Sequence, residues 1–162
     1  MNPVLMLNIG DALPLFSLAC SDGTQVSSKD LAGHWSVLFF YPKDMTPGCT
    51  TECKDYSALM SNAFKSRVLV YGISKDTLAS HAKFVAKEAL TVPLLADPEK
   101  MLHQAFGAWG EKMMYGKAVT GTIRSTFLVD PKGRIAHVWP KVTVAGHAAA
   151  VMSRLHELSS EK

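Results

Sequence analysis

Two of the three cysteines in this chain stand four residues apart, in the stretch YPKDMTPGCTTEC at positions 41–53. Thiols that close can ligate a metal, exchange a disulfide or simply fill space. Thr46 and Pro47, ahead of Cys49, read as a helix start, because threonine suits the N-cap and proline the first helical position. Cys49 then falls in the first helical turn, where free amide N–H groups and the positive end of the helix dipole favour an anion. The thiolate, not the thiol, is the nucleophile, and a helix N-terminus is one of the settings that stabilises it.

Other chemistries fit the spacing less well. A structural zinc site draws its ligands from closely spaced pairs, and the histidines at 34, 81, 103, 137, 147 and 156 supply no second pair. A thioredoxin-type disulfide oxidoreductase keeps two residues between its cysteines, where this chain has three. A small buried cysteine is the plainest alternative, since free cysteines are commonly buried. Cys20, before Ser21-Asp22-Gly23, is expected as a structural residue at a strand end. His81 and His103 lie in helical patterns with polar neighbours and are expected in solvent. His34, Trp35 and Tyr41 border the stretch, with a core role expected for the aromatics. Glu52 lies in the first helical turns, where a carboxylate suits the dipole.

The elements that must position these residues alternate along the chain. SVLFFY (36–41) is a continuous apolar run, the pattern of a strand buried on both faces. A helix follows, with Tyr56, Leu59, Met60 and Phe64 on one side. Residues 67–74 read as a second buried strand and 77–90 as an amphipathic helix. A short strand near 93–95 and a helix over 99–108 come next. Residues 122–130 and 134–140 flank Pro131-Lys132-Gly133, a hairpin signal, and 145–158 form a closing helix. The segment 42–48 thus lies at the carboxyl edge of a sheet, where open α/β sheets place their sites. This order predicts an α/β, thioredoxin-like fold with an N-terminal β-hairpin extension from LPLFSLACSDGTQVSS, all within one domain, 1–162.

The 162 residues are 48% hydrophobic and 19% charged, an ordinary globular composition. The net charge of +3 comes from cations interleaved with anions, so no nucleic-acid or membrane surface is indicated. The opening MNPVLMLNIGD lacks a cationic start and a secretory-length apolar core, and no apolar run reaches membrane-spanning length. Three cysteines without framework spacing fit a reducing compartment, so a cytoplasmic location is expected.

The stretch from Pro42 to Cys49 resembles the P-x-x-x-T-x-x-C pattern of peroxiredoxins, and with TPGCTTE it is most similar to the bacterioferritin comigratory protein, or Q, branch. FFYPKD, GISKD, FGAWGEK, MYGKAVTGTIRSTFLVDPKGRI and the AGHAAAV helix carry the likeness over most of the chain. The resemblance implies a thiol peroxidase acting on hydrogen peroxide and organic hydroperoxides, with no metal, haem or flavin. Cys49 would be the peroxidatic cysteine, passing through a sulfenic acid. Thr46 and the Cys49 N–H would face the peroxide, Pro42 would shield the thiolate, and Arg124 would stabilise thiolate and leaving oxygen. Taken alone, Arg124 reads as a surface strand arginine; only the combined pattern places it in a site. Thioredoxin is the implied reductant and a monomer the expected state.

One departure concerns recycling. Many members of the branch carry a resolving cysteine five residues after the first, where this chain has Lys54. Others carry it on the following long helix, and residues 77–90 contain none. Cys53 lies four residues on, with Cα atoms about 6 Å apart in an intact helix, inside the span of a disulfide. Cys53 is therefore the candidate resolving cysteine. The alternative is a one-cysteine enzyme in which Cys53 only packs.

Overall fold

Strand β3 (Trp35–Phe40) organises the molecule because every second side chain serves a different layer. Val37 and Phe39 enter one buried cluster, Leu38 and Phe40 the other, and all four are fully buried. The computed structural model describes residues 6–60 and 68–159. Phe64 and Arg67, placed above on a helix face and at a strand start, lie outside the described residues.

β3 pairs in parallel with β4 (Val68–Ser74) and antiparallel with β8 (Ser125–Val129). β5 (Leu94–Ala96) and β9 (Ile135–Trp139) complete a five-stranded sheet in the order β5-β4-β3-β8-β9. On one face pack α1 (Pro47–Met60), α2 (Leu78–Glu88) and α4 (His147–Ser159), through Tyr56, Phe84, Val151 and Leu155. The other face takes α3 (Met101–Phe106), through Leu102 and Phe106, and Leu31 of a short 3-10 helix (Ser28–Leu31). Phe39 stacks on Tyr56 at 4.3 Å between centroids, so α1 is seated on the strand that feeds it. At Gly72 the backbones and rings approach so closely that a Cβ would lie 2.7 Å from the Phe39 ring.

The expected layered α/β fold is present, and β1 (Ser17–Ala19) and β2 (Gln25–Ser27) form the expected N-terminal hairpin. Two features differ from expectation. β6 (Trp109–Met114) and β7 (Lys117–Thr122) form a further hairpin that leads into Ile123 and Arg124. Its two-residue turn, Tyr115-Gly116, has φ of 52° and 80°, both in the left-handed region that such tight hairpins require. Lys117, Ala118 and Thr120 are exposed, so no buried alternation marked β7 as a strand. His81 and His103, expected in solvent, are both fully buried. Each is paired at 2.7 Å with a buried aspartate, Asp44 and Asp97, and that pairing is what makes a buried histidine affordable.

Candidate active site

Helix α1 begins at Pro47, directly after the loop that leaves β3. Thr46 takes the N-cap position through its backbone, its carbonyl accepting from the Thr50 N–H at 2.8 Å. Its hydroxyl does not cap the helix; it donates to the Lys43 carbonyl at 2.8 Å. Cys49 is therefore in the first turn, as the spacing predicts, with only 1% of its surface exposed. Pro42, half-buried, stands at the start of the same loop, and its carbonyl accepts from Lys75 Nζ at 3.1 Å.

Arg124 arrives from the far side of β3, just ahead of β8. Its Nη2 donates to Cys49 Sγ at 3.2 Å and its Nη1 to Glu52 Oε1 at 2.5 Å. One planar fork thus joins the helix residues Cys49 and Glu52 to an arginine 75 positions after the cysteine, which a lysine cannot reproduce. Burial works against the guanidinium charge, but Cys49 and Glu52 beside it outweigh that and raise its pKa further.

Glu52, expected only to suit the helix dipole, has a partner in Arg124 as well. It lies one turn beyond Cys49, so helix geometry puts both on the face towards Arg124, and it is 1% exposed. Its Oε2 has no hydrogen-bond partner. Burial pushes the carboxyl up to about 7, against the pull of Arg124. Behind it, His147 Nε2 and the Thr126 hydroxyl lie 2.8 Å apart, and burial followed by the Arg124 charge lowers His147 to about 4. His147 is consequently neutral near pH 7. Sequence reasoning missed the role of Glu52; its spacing of three from Cys49 was the available signal.

Cys53 and Cys20 are fully buried, and all three thiols are free. Cys53 sits among Phe39, Tyr41, Tyr56 and Cys49 in the cluster under α1. Burial, then the neighbouring Glu52 and Cys49, push its thiol far up. Lys54, where a cysteine five positions on would stand, points outward to Glu88 at 3.6 Å. Cys20 bridges to Leu95 beside β5, a structural position as expected. Tyr41 is core, Trp35 packs at its margin and His34 is exposed. Among the described residues no group of three or more His, Cys, Asp or Glu side chains is placed to hold a metal ion.

Residues 9–138 match the family described as AhpC/TSA. Peroxiredoxin Bcp of Xanthomonas campestris is 48% identical over 138 residues, 85% of this chain and 86% of that protein. The chain is a peroxiredoxin. Peroxiredoxin Bcp of Escherichia coli is 40% identical over 157 residues, 97% of this peroxiredoxin and 99% of the relative. A solved structure of the X. campestris bacterioferritin comigratory protein, reported for its alkyl peroxide reduction activity, superposes with a TM-score of 0.82 at 44% identity, covering 91% of this chain and 98% of that one. A cysteine-to-serine variant of Xylella fastidiosa PrxQ gives a TM-score of 0.89 at 38% identity, covering 96% and 99%. This peroxiredoxin therefore belongs to the bacterioferritin comigratory protein branch and is a thiol peroxidase.

The Glu52 environment carries a pH prediction. Its folded-state pKa lies above the ordinary carboxylate value of 4.5. Its contribution to stability is therefore present below about pH 4.5 and lost as pH rises through about 7. Glu52→Gln keeps an acceptor for Arg124 but removes this titration. Urea unfolding at pH 5 and pH 8 should show the variant losing less stability between the two, by on the order of 2–3 kcal/mol. Parallel pH profiles for the two proteins would contradict the assignment.

Proposed function

We propose that this peroxiredoxin reduces hydrogen peroxide and organic hydroperoxides through a sulfenic acid on Cys49, with a thioredoxin-type dithiol as final reductant. The observation that carries the proposal is the Arg124 Nη2 contact to Cys49 Sγ at 3.2 Å. The Cys49 thiolate attacks one peroxide oxygen, the S–O bond forms, and the O–O bond breaks. The departing hydroxide or alkoxide takes up a proton to become water or alcohol. Negative charge moves from sulfur to that oxygen, so a donor already fixed beside the sulfur stabilises the transition state more than the bound peroxide. Thr46, its hydroxyl proton committed to Lys43, keeps lone pairs free to accept from a peroxide O–H. Pro42 screens the sulfur from bulk water. Organic hydroperoxides are included because the related X. campestris protein reduces alkyl peroxides.

In the second half-reaction we assign Cys53 as the resolving thiol: its sulfur displaces the sulfenic hydroxyl, giving a Cys49–Cys53 disulfide and water. A thioredoxin-type dithiol then reduces that bond. One helical turn separates the two cysteines, but Cys53 is fully buried and protonated while the helix is intact. Resolution therefore requires the first turns of α1 to open. The packing of Cys53 against Phe39 and Tyr56 favours a second reading, in which it only fills the core and a single cysteine carries the cycle. We further infer a cytoplasmic monomer: three cysteines without framework spacing suit a reducing compartment, and a monomer is the state expected of this branch.

Cys49→Ser should lose all thiol-dependent peroxide consumption; consumption equal to that of the unmodified enzyme would sink the assignment. Cys53→Ser should retain the first reaction with peroxide, lose thioredoxin-supported turnover and accumulate sulfinic acid on Cys49. Peptide mapping after one equivalent of peroxide separates the two readings. A Cys49–Cys53 disulfide, two mass units lighter by two hydrogens, is expected, whereas a persistent sulfenic acid beside a free Cys53 thiol would mean a one-cysteine enzyme.

A further inference from the structure

The loop that delivers Thr46 and Cys49 contains a strained residue. Met45 has φ of 64°, in the left-handed region, and is not glycine. Such a conformation costs free energy and persists where surrounding contacts over-determine it. The neighbouring residue, Asp44, provides those contacts. Its side chain is buried, and its Oδ1 accepts from the Tyr41 hydroxyl at 2.7 Å. Its Oδ2 accepts from the Ser80 hydroxyl at 2.8 Å and meets His81 Nδ1 at 2.7 Å. The Asp44 N–H donates to Asp76 Oδ2 at 2.8 Å.

His81 is fully buried in α2, and its Nε2 meets the Leu95 carbonyl of β5 at 3.0 Å. The ring thus links the Asp44 carboxylate of the loop to the β5 backbone through its two nitrogens. The other titratable groups around the pair are Tyr41, Asp76, Cys53 and Lys75, the last held on the Pro42 carbonyl. The second buried pair, Asp97 and His103, differs: His103 Nε2 meets the Thr122 hydroxyl at 3.0 Å, a side chain and not a backbone carbonyl.

We propose that Asp44 and His81 are positioning residues that clamp the 42–48 loop to α2 and β5, fixing Thr46 and the first turn of α1 around Cys49. Neither touches the sulfur or the peroxide; both act through the Met45 turn. The proposal rests on Cys49 being the reacting thiol. It explains why a histidine is placed beside the rings of Tyr41 and Phe84: an apolar residue there would leave the buried Asp44 carboxylate without this partner.

The test compares hydrogen peroxide consumption and unfolding midpoints of His81→Ala, Asp44→Asn and Leu31→Ala. Leu31 is buried in the cluster on the opposite face of the sheet and supplies a destabilised variant with no tie to the loop. The second-order rate constant should fall at least tenfold in His81→Ala and Asp44→Asn and less than twofold in Leu31→Ala. The pH profile of Cys49 alkylation by iodoacetamide should move to higher pH in the first two alone. A rate in His81→Ala equal to that of the unmodified protein, or an equal fall in Leu31→Ala, would overturn the clamp. If His81→Ala does not fold, Asp44→Asn carries the same expectation. Absence of peroxide consumption by the unmodified protein would instead remove the peroxidase reading, while the alkylation profiles would still report on the clamp.

Discussion

A guanidinium nitrogen can stand 3.2 Å from the Cys49 sulfur because one strand receives both partners. β3 runs into the loop that starts α1, and its antiparallel neighbour β8 begins one residue after Arg124. Register between these strands, Phe40 opposite Ser125, sets the height of the arginine against the helix start. Slipping that register by one residue would reverse every side chain on β8 and carry the guanidinium away from the sulfur. The two buried clusters on either face oppose such a slip. Glu52 completes the arrangement by holding the second guanidinium nitrogen, so Arg124 is anchored while its other arm meets sulfur.

The helix that carries Cys49 in its first turn also confines Cys53. Free amides at the start of α1 stabilise an anion only while the first turn is intact. The same intact turns keep Cys53 buried among aromatic rings, protonated and unexposed. If Cys53 resolves, as proposed, nucleophilic attack and disulfide closure need different states of one short segment. That segment lies between the strained Met45 turn and the Phe39–Tyr56 stack, which resist and limit its opening.

Much of this was legible in the residue pattern. The continuous run SVLFFY had to be a strand covered on both faces, and Thr46-Pro47 marked the helix start within one residue of where it lies. Cys49 was singled out by its place at a helix start, whereas Arg124 came only from a family-like pattern, since an arginine between two strands has no local feature that points to a cysteine 75 positions earlier. The buried histidines were not legible. His81 and His103 sit among polar neighbours in sequence, and only tertiary contacts with Asp44 and Asp97 reveal why they can leave water. The β6–β7 hairpin was missed for the opposite reason, because a ribbon with exposed positions has no hydrophobic period to read.

The central claim is that Arg124 serves the breaking of the O–O bond and does more than stabilise a thiolate. The direct measurement compares Arg124→Lys with the unmodified enzyme in two reactions of Cys49: with hydrogen peroxide, and with iodoacetamide, which contains no O–O bond. The account predicts a peroxide rate lowered at least about tenfold, roughly 1.4 kcal/mol of barrier, and a distinctly smaller loss in alkylation. Equal losses in both reactions would contradict it, because the arginine would then act on the sulfur alone.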